Sequence, residues 1–381
     1  MANTLNQLIP DLYVAMDVVS RELTGFIPSV TMDPSVARAA VGQPVRGVVA
    51  PAAQAEDITP GTNPPDTGDQ DISNEQVLIQ YAKAVPFRWT GEEQLGLNSG
   101  PGYLTVRQNQ MAQAMRTLAN EIEATVAANY VRASRAFGTA GTTPFGTTDK
   151  THEDLLDLLK ILKDNGCPQT DLQLVLDTTS GTNFGKIPNL FKVNEAGENS
   201  FLRQNMLGTV GRFNVRESAG VVTHARGTAN AAYDLNGAAA VGATTITVDT
   251  GSGTILAGDV VALDGDAENK YVVSTALAGG DLVLNKPGIR VGIADNAGVT
   301  VGAAYQANLA FHRSAIVLAT RPPALPEEGD TAIDRTLITD PRTGLTFELS
   351  MYPEYRRVRY ELAIAWGSNL VKPEHAAVLL G

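Results

Sequence analysis

One uninterrupted helical pattern constrains this chain more than any other feature. Apolar residues recur about every 3.7 residues with no intervening proline, and they are Met111, Met115, Leu118, Ile122, Val126, Tyr130, Ala133 and Phe137. A left-handed coiled coil repeats every 3.5 residues or so, so this spacing predicts a straight helix with one packed stripe. Charged residues are expected on its solvent-facing sides: Arg107, Arg116, Glu121, Glu123, Arg132 and Arg135. Gly138 is expected to end the helix as its C-cap.

Charge and cysteine content exclude several functional classes. The chain has 381 residues, 43% of them apolar, and a formal net charge of −12. It lacks the basic footprint that sequence-independent binding to nucleic acid requires. Asp11, Asp17 and Glu22 interrupt the apolar residues at the N-terminus, which argues against a secretory signal. A single cysteine, Cys167, excludes an internal disulfide framework and is typical of a buried or loop position in a reducing compartment.

The segment before the long helix predicts an arm and an extended hairpin. Residues 11–24 have helical apolar spacing, so we expect a short amphipathic helix closed by Gly25. Two strand-like segments, Val45–Val49 and Val77–Ala82, flank a tip rich in Pro, Gly, Asp and Thr. The alternative is a disordered linker, but linkers rarely alternate on both sides.

The middle of the chain reads as an insertion. From about residue 228 to residue 308, short alternating segments are separated by Gly-Asp, Asp-Gly and Gly-Gly turns. This pattern predicts a small β-barrel or β-sandwich, and acidic residues outnumber basic ones within it. Mixed helix and strand patterns stand on both sides: a helix over His152–Asp164, a buried strand in "LQLVLDTT", and a terminal strand. In that last strand Val358, Tyr360, Leu362, Ile364 and Trp366 share one face, and Arg357, Arg359 and Glu361 share the other.

No motif predicts catalysis, a cofactor or a metal. The four histidines are scattered and form no metal-ligand pair. "GTNFGKI" at Gly181–Ile187 is one residue short of a phosphate loop and ends in isoleucine where serine or threonine would hold magnesium. "DGDAEN" at Asp264–Asn269 begins like a calcium loop but lacks the glycine and the glutamate at its later positions. We therefore interpret it as a solvated hairpin turn, with a weak cation site as the alternative.

The order of these parts resembles the major capsid (coat) proteins of tailed double-stranded DNA bacteriophages, specifically the short-tailed-phage branch with an inserted domain. "ILAGDVVALDG" and "GGDLVLNKPG" resemble the inserted barrel, and "AFHRSAIVLATRPPA" and "YELAIAWGSNLVKPEHAAVLLG" resemble the closing strands. The resemblance implies an α+β fold, the tailed-phage capsid fold of the Hong Kong ninety-seven type. It divides the chain into a 1–42 N-terminal arm, a 43–103 extended loop, a 104–140 spine helix of the peripheral domain, a 141–227 peripheral and axial α/β body, a 228–308 inserted β-barrel domain, and a 309–381 axial and peripheral body with the closing strands.

For function, the resemblance implies a structural protein of the virion that is not an enzyme. Copies would assemble in the host cytoplasm, through a procapsid, into the hexamers and pentamers of an icosahedral shell. That shell would enclose double-stranded DNA without binding it specifically. The implied partners are further copies of the chain, a scaffolding protein and a portal, with a decoration protein left open. Lys83 lies near the base of the expected loop and no lysine lies at its tip, so we expect non-covalent contacts.

Two other functions stay open from the sequence. A bacterial surface or cell-wall binding protein would use the β-module as a ligand-binding domain, although an export signal is missing. A hydrolase with a diffuse active site is disfavoured because no His, Ser or Cys constellation is clustered. The candidate inter-subunit contacts are charged residues of the arm, the insertion and the last strand: Asp11, Asp17, Glu22, Asp264, Asp266, Glu268, Arg357 and Arg359.

Overall fold

The computed structural model describes residues 22–48, 55, 57–58, 60, 74–97, 102–146, 153–191, 208–229 and 233–381. Within them the α-helices are α1 Gly91–Leu97, α2 Tyr103–Ala127, α3 Glu153–Asp164, α4 Thr178–Gly185 and α5 Pro188–Phe191. Short 3-10 helices cover Ile27–Ser29, Ala128–Arg132, Arg313–Ala315 and Pro373–His375. The strands are β1 Thr31–Pro34, β2 Pro44–Val48, β3 Asn74–Leu78, β4 Tyr81–Thr90, β5 Arg135–Phe137, β6 Leu172–Leu176, β7 Thr209–Val210, β8 Phe213–Glu217, β9 Thr223–His224, β10 Tyr233–Leu235, β11 Thr245–Asp249, β12 Val260–Leu263, β13 Asp266–Ala278, β14 Asp281–Leu284, β15 Gly298–Val301, β16 Tyr305–His312, β17 Ile316–Arg321, β18 Asp334–Thr339, β19 Thr346–Glu354, β20 Arg357–Leu370 and β21 Ala376–Leu380.

The long helix α2 packs one stripe against the body, as predicted. Its buried apolar residues are Ala114, Met115, Leu118, Ala119, Ile122, Val126 and Ala127. They share a core with the inward face of β20, including Leu362, Ile364 and Trp366. The indole Nε1 of Trp366 also donates to the Thr125 hydroxyl at 3.1 Å. This contact fixes the helix on the sheet by a directional bond as well as by apolar burial.

The helix ends earlier than predicted. It continues only as the 3-10 helix to Arg132, and Arg135–Phe137 is the strand β5. This strand pairs in parallel with β21 and antiparallel with β13, so two sheet ladders replace the helical hydrogen bonds. Helix propensity differs by less than about 1 kcal/mol among ordinary residues, and such tertiary pairing overrides it. Gly138 is therefore not a helix C-cap; its φ of 97° serves a close approach to the carbonyl of Leu380.

Two sheets form the body. The first has the order β1-β17-β20-β19-β18, and β4 also pairs with β20. The second runs β5-β21-β16-β6-β8-β7, with α3 packed on it through Leu155, Leu158 and Leu162. The predicted alternation of the terminal strand is confirmed, because Tyr360, Leu362, Ile364 and Trp366 are buried. Cys167 is buried in this second core, as expected, and burial raises the pKa of its thiol to about 11.

The insertion is a closed β-barrel. Its strands follow the order β12-β15-β10-β11-β14-β13, and β13 pairs back onto β12. All of these pairings are antiparallel. The barrel has an apolar core of its own that includes Leu235, Ile246, Val261, Tyr271 and Leu282. It ends sooner than the predicted residue 308, because β16 already pairs with β6 and β21 of the body.

The extended hairpin is confirmed at its base. β2 and β3 pair antiparallel, with Val45 opposite Val77. Most of the predicted tip lies outside the described residues. Residues 1–21 of the predicted N-terminal arm lie outside them as well. Residues 22–24, which were predicted to finish the arm helix, are not helical.

Candidate inter-subunit surfaces

Of the three acidic residues in the insertion that were predicted to contact a neighbour, two lie on the barrel surface. Asp264 forms the turn between β12 and β13, and Glu268 follows on β13; both are exposed. The Glu268 carboxylate lies 3.3 Å from the ammonium of Lys160 on α3, and both side chains are largely solvated. Such an exposed pair contributes about 0–1 kcal/mol, so Glu268 is held only weakly and is accessible to another cation.

Asp266 differs from the expectation, because its carboxylate points inward. The residue is 4% exposed. It accepts a hydrogen bond from the Tyr271 hydroxyl at 2.5 Å and one from the Asn269 amide at 2.8 Å. Burial and this carboxylate raise the pKa of Tyr271 above its usual range. Asp266 therefore stabilises the hairpin from within the folded chain and presents no surface to a neighbour.

The two predicted arginines lie beside the turn between β19 and β20. Arg357 pairs with Glu354, and Arg359 pairs with Glu361 on its own strand. The side chains of Arg357 and Arg359 are 46% and 37% exposed, and Tyr355 in the turn itself is 91% exposed. The result is a protruding turn with an aromatic ring and cations at its edge, a combination that is common at protein interfaces.

The N-terminal arm joins the spine helix where it enters the described structure. Glu22 accepts from the guanidinium of Arg116 at 2.7 Å and from the amide of Asn120 at 2.6 Å. The hydrogen bond from Arg116 is the main reason that the pKa of Glu22 falls to about 2. Glu22 thus has a partner within its own chain. Asp11 and Asp17 lie outside the described residues.

A buried acid that the sequence interpretation placed in solvent fixes the root of this arm. The carboxylate of Glu123 accepts from the backbone N–H groups of Gly25, Phe26 and Ile27 at 2.6, 2.7 and 2.9 Å. It also accepts from the Ser218 hydroxyl at 2.6 Å. Burial raises the pKa of Glu123 despite these four donors. The side chain joins the arm, the spine helix and the body at one point.

A second buried network joins the spine to the insertion. The hydroxyl of Tyr130 lies 2.8 Å from Nδ1 of His224, and Nε2 of that ring lies 2.8 Å from Asp259. Asp259 also accepts from the backbone N–H groups of Gly227 and Leu256. In the neutral ring Nε2 donates to the carboxylate and Nδ1 accepts from the tyrosine. The network fixes the barrel against the end of the spine.

Arg135 makes a third such junction, although it was expected in solvent. Its buried guanidinium donates to the carbonyl of Ile161 and to the side-chain oxygens of Asn165 and Asn269. Burial lowers the pKa of Arg135. Its three acceptors belong to α3, to the loop after it and to the barrel, so one cation ties three parts of the chain to β5.

The root of the extended hairpin is set by a close backbone approach. Val77 and Ile79 are buried against Ala319 and Ala365. At Gly367 a Cβ atom would stand 1.8 Å from the carbonyl oxygen of Leu78. A glycine is therefore required for the chain to cross β20 at this distance. Of the apolar residues described in the hairpin tip, Ile58 is 97% exposed.

A polar cleft of about 1230 Å³ opens between the spine, the barrel and the hairpin root, lined by residues that include Lys83, Arg132, Lys286, Lys372 and Glu374. Among the described residues, no group of three or more His, Cys, Asp or Glu side chains is placed to hold a metal ion. In the same part of the chain, no helix is both long and apolar enough to cross a membrane.

Comparison with known proteins rests on structure, since neither a protein-family model nor a curated protein matches the sequence. A structure of the cyanophage P-SCSP1u capsid is 13% identical, has a TM-score of 0.54 and is matched over 100% of this chain and 95% of its own. A Mycobacterium phage Che8 structure is 13% identical with a TM-score of 0.50, and the match covers 99% of this chain and 98% of its own. The capsid of a native GTA particle is 8% identical with a TM-score of 0.50, and the match covers 99% of this chain and 99% of its own. The chain shares their fold from end to end, which confirms the predicted α+β tailed-phage capsid fold.

Proposed function

We propose that this chain is a major capsid protein that self-assembles into the icosahedral shell of a tailed phage. The observation that carries the proposal is the match to capsid structures, which covers 99–100% of this chain. The extended hairpin, the spine helix and the two sheets are all included. Hexamers and pentamers, a scaffolding protein and a portal, and assembly in the host cytoplasm belong to the same proposal.

Features of the described surface support an assembling protein. Ile58 of the hairpin tip and Tyr355 of the β19–β20 turn are exposed. Aromatic side chains are enriched at protein interfaces, so Tyr355 is the residue of these two that supports a contact with another subunit. We propose that Asp264 and Glu268 contact basic groups of a neighbouring copy, and that Arg357 and Arg359 contact acidic ones. Contacts of this kind are weak one by one but repeat throughout a symmetric shell.

The alternative, a surface or cell-wall binding protein, makes the barrel its ligand-binding module. The barrel interior is packed with buried apolar side chains, including Val261, Tyr271 and Val273. A ligand would therefore need the outer surface of the barrel. A structural protein needs no ligand-binding site. Because the proposed role is structural, we propose that the chain acts without catalysis.

Sedimentation and electron microscopy of the full chain, co-expressed with its scaffolding protein, test the proposal. We expect shells or capsomers. Monomers at every concentration would support the binding module instead. The charge reversals Asp264→Lys and Glu268→Lys should alter shell yield or size. A matched control reverses two other exposed barrel residues, Asp249 at the end of β11 and Asp281 at the start of β14, and should assemble normally. Equal effects of the two double reversals would show that Asp264 and Glu268 make no specific contact.

A further inference from the structure

Two Asn-Gly pairs occur in this chain, Asn165–Gly166 and Asn236–Gly237. An asparagine followed by glycine is open to a spontaneous reaction, because glycine has no side chain to shield its backbone nitrogen. That nitrogen attacks the side-chain carbonyl carbon of the asparagine, the N–H proton and the amide NH2 group leave together as ammonia, and a succinimide ring forms. Water then opens the ring at either carbonyl and gives aspartate or isoaspartate. Water is the only co-reactant, and nothing is oxidised or reduced.

The fold holds the first pair against this reaction. Asn165 is half-buried in the turn after α3. Its side-chain oxygen accepts a hydrogen bond from the Arg135 guanidinium at 2.9 Å. Its side-chain nitrogen donates to the Ser134 hydroxyl at 3.0 Å and to the Glu374 carbonyl at 2.9 Å. Rotation of the amide towards the backbone nitrogen of Gly166 would break these three hydrogen bonds.

The second pair lies in an exposed bend of the barrel, directly after β10. Asn236 and Gly237 are both exposed, and a Cβ atom on Gly237 would meet no other atom within 4 Å. Among the residues that the structure describes, none forms a hydrogen bond with the Asn236 side chain. The amide can therefore turn onto the glycine nitrogen without breaking a bond to those residues, and water can reach both groups.

One contact restrains the second pair, and it is made by the attacking nitrogen. The backbone N–H of Gly237 donates to the Asp295 carboxylate at 2.7 Å. This hydrogen bond holds the proton that must leave, and the negative charge disfavours the amide anion that attacks. Asp295 is itself exposed, so water competes for both partners and the net strength of the bond is small. The contact slows the attack but does not prevent it.

We propose that Asn236 is a site of spontaneous deamidation, with Asn165 protected and Asp295 restraining the rate. Conversion to aspartate adds a negative charge beside Asp295. Conversion to isoaspartate also lengthens the main chain between residues 236 and 237. The N–H groups of these two residues then no longer fit the carbonyl of Thr247, which now accepts from Asn236 at 2.9 Å, and the Asp295 carboxylate together. The site goes beyond the proposed shell function and does not depend on it.

Peptide mass spectrometry of the full chain, incubated in mildly alkaline buffer, tests the site. Asn236 should gain the mass of an amide-to-acid conversion and incorporate heavy oxygen from labelled water, and electron-transfer fragmentation should identify isoaspartate there. Asn165 in the same sample is the internal control. It should convert more than about tenfold more slowly, because its three hydrogen bonds must break first. The rate at Asn236 should rise with pH, since hydroxide assists the loss of the amide proton.

Three variants separate the parts of the proposal. Asn236→Gln should abolish the conversion at this position, because the longer side chain must close a larger ring. Asp295→Ala should accelerate the conversion of Asn236 about two- to tenfold, the range expected for the loss of a single hydrogen bond. Glu268→Ala is the matched control for a lost carboxylate: Glu268 is exposed on the barrel beside Lys160, and its removal should leave the rate unchanged.

An unmodified Asn236 after prolonged incubation would overturn the proposal, and so would equal conversion of Asn165. A mass gain that persists in Asn236→Gln would place the reaction at another residue. Equal rates in Asp295→Ala and Glu268→Ala would show that Asp295 does not restrain the attack.

Discussion

Replacing Glu123 tests whether one buried carboxylate holds the arm root, the spine and the body together. Three of its four hydrogen bonds, from Gly25, Phe26 and Ser218, reach Oε1, and the bond from Ile27 reaches Oε2. A glutamine can keep its carbonyl oxygen at the Oε1 position and so retain three donors. It then turns its NH2 group towards the N–H of Ile27, where two donors meet. Alanine leaves all four donors without their carboxylate acceptor.

The magnitudes follow from that count. A buried donor left unsatisfied costs about 1–3 kcal/mol, so Glu123→Gln should lower the free energy of unfolding by about 1–3 kcal/mol. Glu123→Ala should lower it by about 3–5 kcal/mol, because loss of the buried charge offsets part of the four lost bonds. Glu121→Gln is the matched control: it is exposed on the same helix, pairs with Lys83 and should cost about 0–1 kcal/mol.

Urea unfolding followed by tryptophan fluorescence measures these differences, since Trp366 is buried against the same helix. The pH dependence has a defined sign. The folded-state pKa of Glu123 is raised. The pH-dependent part of its contribution to the free energy of unfolding is therefore complete below the unfolded pKa of 4.5 and is lost as the pH rises through the folded pKa. Glu123→Gln should remove that slope. A glutamine variant less stable than the alanine variant, or an alanine variant equal to wild type, would refute this account of the junction.

Four further outcomes are expected. Leu118→Ala should destabilise the chain by about 2–5 kcal/mol in the same urea assay, because the residue is 1% exposed in the packed stripe; wild-type stability would mean that the stripe is not the packed face. Gly367→Ala should displace the hairpin root, since its Cβ would meet the Leu78 carbonyl, and exchange of β3 should rise while that of β14 stays the same. Asp17→Arg should weaken scaffold-dependent assembly, and salt should produce the same defect in the wild-type chain; normal assembly of the variant at low salt would exclude the contact. The fragment 228–302 should give dispersed amide NMR signals and a cooperative melt, because the closed barrel has its own core; a collapsed spectrum would exclude independent folding.

Periodic patterns made most of the architecture predictable. The stripe through Leu118 and Ile122, the alternation through Tyr360 and Trp366, and the turn-separated strands of the insertion all reflect burial of one face, which local sequence records directly. Pairing of β2 with β3 was predictable for the same reason. The order of these parts resembles the tailed-phage capsid fold, and the structural comparison confirms that fold.

What the sequence could not show depends on long-range partners. β5 looked helical because its residues continue the period of α2, while the strands that pair with it lie more than a hundred residues further along the chain. Asp266 looked exposed because its partner Tyr271 lies inside a barrel that local pattern does not close. Glu123 did leave a signal, since it stands four residues from Ala119 and from Ala127, both buried.

The three buried junctions have a common physical consequence. Glu123, the His224–Asp259 pair and Arg135 each lie where separate parts of the chain meet, and each is bonded to at least two of those parts. Apolar contacts are non-directional, so apolar packing alone would permit a barrel or an arm to settle at several neighbouring angles at similar free energy. A buried charge or imidazole is satisfied at only one of those angles, and any other leaves it unpaired at a cost of several kcal/mol. Polar junctions therefore specify the relative orientation of the arm, the spine and the barrel within one subunit. The proposed shell would require that property, because an error of orientation in one subunit would be repeated at every contact it makes.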